Sequence, residues 1–151
     1  MKTKAKLSKF MDPDTGVETV ETIISFNSGD EQDLISFNQT KNLKNISWYI
    51  ICKFCPSSKN DFKSLNVITN GTGVSVEVGG SYSSYDVKTL NTSFLRTVDY
   101  FKINELIIAD LNKCQSLKLE FKEEDGIKEI YFDKEHLDAV KEWIQNITIP
   151  K

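Results

Sequence analysis

The chain offers little reactive material: three cysteines (Cys52, Cys55, Cys114), one histidine (His136) and one arginine (Arg96). Cys52-Lys53-Phe54-Cys55 is a C-x-x-C pair, which can hold zinc, form a redox dithiol, or serve only as packing. Zinc in a structural site takes four ligands, and Cys114 and His136 are the residues that would complete a Cys3His set. On a regular strand Cys52 and Cys55 face opposite ways, so chelation requires a knuckle turn, which Pro56 permits. A thioredoxin-like pair instead needs its first cysteine at a helix N-terminus, and Pro56-Ser57-Ser58 starts no amphipathic helix. Structural thiols are the simpler reading, with zinc or redox chemistry as the alternative. An odd cysteine count does not make a disulfide framework.

The other candidates are weaker. His136 falls in the first turn of an expected helix beside Glu135; as a catalytic base it needs a nucleophile and an orienting acid, and a structural histidine is the plainer reading. Gly71-Thr72-Gly73-Val74-Ser75-Val76 lacks the third glycine of a dinucleotide-binding loop, and Gly73-Val74-Ser75-Val76-Glu77 lacks the last glycine of a nucleophile elbow. Asp12, Asp14 and Glu18 lack the glycine and the bidentate glutamate of a calcium loop, whose places are taken by Val17 and Ile23. Glu123-Glu124-Asp125 reads as a solvated hairpin tip. Tyr82 and Tyr85, set among Gly and Ser, resemble an adaptable binding loop and are the weak candidates for a binding surface. No cofactor motif is intact.

The elements that would position these residues follow from the hydrophobic pattern. Asp12-Pro13-Asp14-Thr15-Gly16 is a turn, followed by a strand over Val17–Phe26 and a short return strand over Leu34–Phe37. Ile46–Phe54 alternates with period two and carries apolar residues on both faces, the mark of a central strand. Asn70-Gly71 joins Leu65–Thr69 to Thr72–Val78 as a type I′ hairpin, and Gly79–Tyr85 reads as a loop. Phe94–Ile103 reads as a strand, Asn104 caps a helix over Glu105–Asn112 with Leu106, Ile107, Ala109 and Leu111 buried, and Leu117–Phe121 pairs with Ile127–Phe132. Asp133 caps a last helix to about Asn146, with Leu137, Val140, Ile144 and Ile147 as its stripe and Trp143 at the sheet edge. The expected class is α+β: an antiparallel sheet, or a partly closed barrel or sandwich, of about seven strands with a helix near 104–112 and a C-terminal amphipathic helix near 133–147. Residues 1–10 read as a loose basic terminus and 11–151 as one domain. The order of hairpin-connected strands followed by a closing helix is similar in outline to pleckstrin-homology-like modules, and to many small β-rich bacterial domains.

Composition sets the function classes. The chain has 151 residues, 39% of them hydrophobic, a net charge of −3 and no apolar run long enough to span a membrane. With one arginine and lysines interleaved with acids, it lacks the basic, bidentate surface of a nucleic-acid binder; the exception is Lys2, Lys4, Lys6 and Lys9 at the N-terminus. Five N-x-[ST] sequons among eleven asparagines, with only three alanines, suit an A+T-rich bacterial or phage genome better than glycosylation. The expected compartment is the cytoplasm, with export after signal removal as the alternative. These exclusions favour a non-enzymatic module that binds another protein or itself, as a subunit of a larger assembly or an inhibitor-type partner with an acidic surface. A zinc or redox protein using Cys52 and Cys55, or a small-ligand binder at a barrel mouth, is the alternative; hydrolase activity is the remote one.

Overall fold

The Asp12–Gly16 turn closes as its residue types dictate. Asp12 Oδ1 accepts from the Asp14 amide at 2.9 Å, the Gly16 amide donates to the Asp12 carbonyl at 2.8 Å, and Gly16 takes φ 72°, a conformation that favours glycine. In the computed structural model, which describes residues 5–28, 31–54, 64–89, 92–123 and 126–149, this turn joins two strands. The backbone alone is described for 27–28, 31–32, 54, 80–89 and 92–97. The first strand is β1 (Ala5–Met11), paired along its whole length with β2 (Glu18–Ser28). Residues 5–10, expected to belong to a loose terminus, are therefore part of an edge strand.

β3 (Glu31–Lys41), β4 (Ile46–Phe54), β7 (Gly80–Thr89) and β8 (Thr92–Ile103) complete a six-stranded antiparallel sheet in the order β1-β2-β3-β4-β8-β7. β4 lies inside it, as its two apolar faces foretold. Of the expected loop at 79–85, residues 80–85 are instead the start of β7: Gly and Ser are weak strand formers, but the long β8 supplies each of them a ladder partner. A second sheet has the order β10-β9-β5-β6, from β5 (Ser64–Thr69), β6 (Thr72–Glu77), β9 (Leu117–Lys122) and β10 (Ile127–Phe132). In the β5–β6 turn Asn70 and Gly71 have φ of 49° and 84°, the two positive values a type I′ turn requires. Asn70 Oδ1 also accepts from the Gln115 and Ser116 amides, clipping this hairpin to the segment that enters β9. The described residues thus hold ten strands in two open sheets, and neither closes into a barrel.

Two helices complete the α+β fold. α1 (Glu105–Lys113) starts at Asn104, whose side chain accepts from the Ile107 amide at 3.0 Å. Its buried residues are Ile107, Ile108 and Leu111, while Leu106 and Ala109, expected inside, are exposed; the stripe runs one residue out of phase with the sequence estimate. α2 (Lys134–Asn146) buries Leu137, Val140, Trp143 and Ile144. Trp143 does not cover an edge but is fully buried. Its ring lies 5.7 Å from Phe37 of β3, and its Nε1 donates to the Val20 carbonyl of β2 at 2.9 Å. Phe37 in turn meets Phe132 of β10 edge-on at 6.0 Å, and Phe132 meets Phe26 at 5.0 Å. One aromatic cluster therefore joins α2, the six-stranded sheet and the four-stranded sheet.

A substitution at Trp143 separates the contributions. Trp143→Ala lowers the unfolding free energy by about 3–5 kcal/mol through cavity formation. Trp143→Phe lowers it by about 1–3 kcal/mol, because the ring stays but the Val20 carbonyl loses a donor in a buried site. Urea denaturation of the two variants measures both; equal losses would show that packing at this position is not the main contribution.

Candidate functional site

Strand alternation sorts the candidates. On the inner face of the six-stranded sheet, Phe26, Ile24 and Val20 of β2 pair with Asp33, Ile35 and Gln39 of β3, and Ile35 pairs with Cys52 of β4, which pairs with Asp99 of β8. Cys52 is buried without any exposure, and burial, reinforced by the nearby Asp99 carboxylate, pushes its thiol well above the usual cysteine range. A thiol held protonated is a poor nucleophile and a poor metal ligand. Cys114 sits at the C-cap of α1, its Sγ directed to the Leu111 carbonyl at 3.3 Å, and its thiol is likewise raised by burial. Cys55 lies outside the described residues.

His136 is committed to helix capping. The Asp133 amide donates to His136 Nδ1 at 3.1 Å, and the His136 amide donates to Asp133 Oδ1 at 2.9 Å, a capping box with histidine in the place usually held by Glu or Gln. Nδ1 also lies 3.1 Å from Asp133 Oδ1, but while it accepts the amide proton it has none of its own to donate, so the cap outranks an ion pair there. The imidazole rests against Phe26 at 4.3 Å and Phe132 at 5.9 Å, and this burial lowers its pKa against the opposing pull of Asp133 and Glu135. Cys52, Cys114 and His136 are not brought together: among the described residues no three His, Cys, Asp or Glu side chains gather at a metal-sized site. Tyr82 and Tyr85 lie in β7, opposite Val98 and Leu95 in the ladder, and not on a loop.

The inner face does hold charge. Asp33, almost without exposure, receives Lys128 Nζ of β10 at 2.9 Å, an ion pair that ties the two sheets together across their rim. A buried carboxylate needs such a partner, and removing it leaves an uncompensated charge at a cost of about 3–5 kcal/mol. Cys52, Asp33 and Asp99 thus form a buried polar patch, with its thiol protonated and Asp33 engaged in structure.

One accessible feature lies at the β1 edge. One side of β1 pairs with β2; the other has no strand neighbour in the sheet order. Phe10 and Met11 are 54% and 56% exposed, and with Lys9, Glu18, Asn146 and Thr148 they line an open groove of ≈ 380 Å3 between β1 and the end of α2. The groove floor is fixed by Gln39, whose Oε1 accepts from Trp48 Nε1 and from the Thr148 amide, both at 2.9 Å. Sequence reasoning missed this site because Ala5–Met11 has no clear alternation. The signal available was the turn at Asp12–Gly16, since a tight turn before a strand implies a strand on its other side. No helix among the described residues is long and apolar enough to cross a membrane. Comparison with protein families, curated proteins and solved structures gives no match to this chain, so the outline likeness to pleckstrin-homology-like modules rests on element order alone.

The histidine cap carries a pH signature. The folded pKa lies below the ordinary 6.5, so as pH falls the unfolded chain takes up this proton first. The stability given by neutral His136 is complete above that value, declines as pH falls toward the folded pKa, and levels off below it. His136→Gln keeps a capping acceptor but does not titrate. Wild type should lose stability relative to this variant between about pH 7.5 and pH 5, read from paired melting curves; a constant difference across the range contradicts the assignment.

Proposed function

We propose that the chain is a non-enzymatic protein-interaction module that accepts an extended, acidic segment of a partner protein along β1, adding a strand to the six-stranded sheet. The observation that carries this reading is the open backbone edge of β1 beside exposed Phe10 and Met11. An unpaired edge supplies main-chain donors and acceptors for affinity, and the flanking groove supplies side-chain selectivity. Lys6 and Lys9 on β1, continuing Lys2 and Lys4 in the sequence, set the preferred charge of the incoming strand.

β7 is the opposite open edge of the six-stranded sheet, and β6 and β10, the edges of the smaller sheet, are less suited than β1. β6 is short, and at β10 the Tyr131 hydroxyl already donates to Glu129 while Lys118 lies over its ring at 5.3 Å. The commitment of His136 to capping and the raised pKa values of Cys52 and Cys114 support a role without turnover. Two free, buried thiols also suit a reducing compartment, which supports the cytoplasm as the place of action.

Affinity capture tests the reading. The immobilised chain should retain a partner from cell extract, and retention should weaken at high salt, as charge-steered contacts do. The triple variant Lys6→Glu, Lys9→Glu, Phe10→Asp should lose at least about tenfold of that retention, corresponding to roughly 1.4 kcal/mol or more, with an unchanged melting temperature. A second copy of the chain as partner would show as a dimer in light scattering. A strict monomer that retains nothing the triple variant does not also retain ends the proposal.

A further inference from the structure

The face of β2, β3 and β4 turned away from α2 and the four-stranded sheet contains a small cavity of ≈ 130 Å3, lined by Glu21, Ile23, Leu34, Ser36, Ile51 and Lys53. The register places Ile23, Ser36 and Ile51 in one row across the three strands, with Glu21 beside Asn38 on one side and Lys53 beside Leu34 on the other. Ser36 and Asn38 are only 6% and 7% exposed, and both donate to the same atom, Glu21 Oε2, at 3.0 Å each. Two buried donors thus hold the carboxylate through Oε2 and leave Oε1 without a hydrogen bond among the described residues. Lys53 makes no ion pair with the described residues, Glu21 included. Glu21 and Lys53 stand two strands and four residues apart, about 16 Å between Cα atoms on a flat ladder. Both line the cavity, from opposite ends of the register, and they form no ion pair with each other.

We propose that this cavity binds a small aliphatic amino-acid zwitterion, its ammonium on Glu21 and its carboxylate on Lys53. Size points to a small ligand: ≈ 130 Å3 lies below the ~300–1,000 Å3 typical of cofactor and drug-sized sites. Charge decides against simpler ones. A lone cation meets Lys53 and a lone anion meets Glu21, whereas a zwitterion satisfies both through charge-assisted hydrogen bonds. Ile23, Leu34 and Ile51 supply an apolar wall for the aliphatic part. The site is separate from the β1 edge and stands or falls independently of it.

Titration of 15N-labelled full chain tests the proposal, with L-valine and 4-aminobutyrate as zwitterions of short and long charge spacing. Isobutylamine and isovalerate are the matching single-charge probes. At least one zwitterion should give saturable amide shifts centred on β2, β3 and β4, and bind at least about tenfold tighter than either single-charge probe. Glu21→Gln, whose amide oxygen still accepts from Ser36 and Asn38, and Lys53→Met, at the cavity rim, should each weaken that binding by about tenfold or more. Both should keep the wild-type amide spectrum elsewhere; if Glu21→Gln unfolds, Lys53→Met decides alone. No saturable shift with either zwitterion, equal binding of isobutylamine or isovalerate, or indifference to the substitution overturns the site.

Discussion

The packing of Trp143 against Phe37, with its indole nitrogen on the Val20 carbonyl, is the contact on which the rest of the structure depends. It seats α2 on the six-stranded sheet, and through Phe37 and Phe132 it reaches the four-stranded sheet as well. The inner face of the larger sheet is thereby used up in holding the molecule together. The surfaces that this packing does not consume include the open edges of β1 and β7 and the outward face of β2, β3 and β4. The same helix forms one wall of the β1 groove, through Asn146 and the Thr148 amide bound to Gln39.

Burial also determines what the reactive residues do. The inner face gathers Cys52, Asp33 and Asp99, but desolvation holds the thiol protonated and Lys128 engages Asp33 across the sheet boundary. Charge there tightens the join between sheets, since the buried Asp33 carboxylate left without Lys128 would be costly. The only histidine is pressed against Phe26 and accepts a backbone proton at the start of α2. By contrast, Glu21 on the outward face is held by two neighbouring side chains, Ser36 and Asn38, both bonded to its Oε2.

Much of the fold was legible from local chemistry. Asn70-Gly71, the caps at Asn104 and Asp133, and the two-sided apolar pattern of β4 each have a mechanism contained in a few residues, and each appears in place. What escaped depends on partners far away in sequence. β1 and β7 lack a clear alternating pattern and are held as strands by the ladders that β2 and β8 offer. The burial of Ile108 in place of Leu106 is set by where α1 meets α2 and β5, which a short helix of mixed periodicity does not reveal. Trp143 was assigned to an edge because one aromatic beside a stripe carries no sign of the Val20 carbonyl 123 residues earlier in the chain. The site residues were less legible still: Glu21, Ser36, Asn38 and Lys53 lie on three strands, and only the register unites them.

Amide hydrogen exchange along β1 tests the central claim, that this molecule acts by offering an open strand edge. In the free chain, alternate amides of Ala5–Met11 should exchange fast while those bonded to β2 are protected, as an edge paired on one side requires. On saturation with the captured partner, the fast set should become protected and the rest of the fold should change little. A partner that protects another element and leaves every β1 amide exchanging as before contradicts the account.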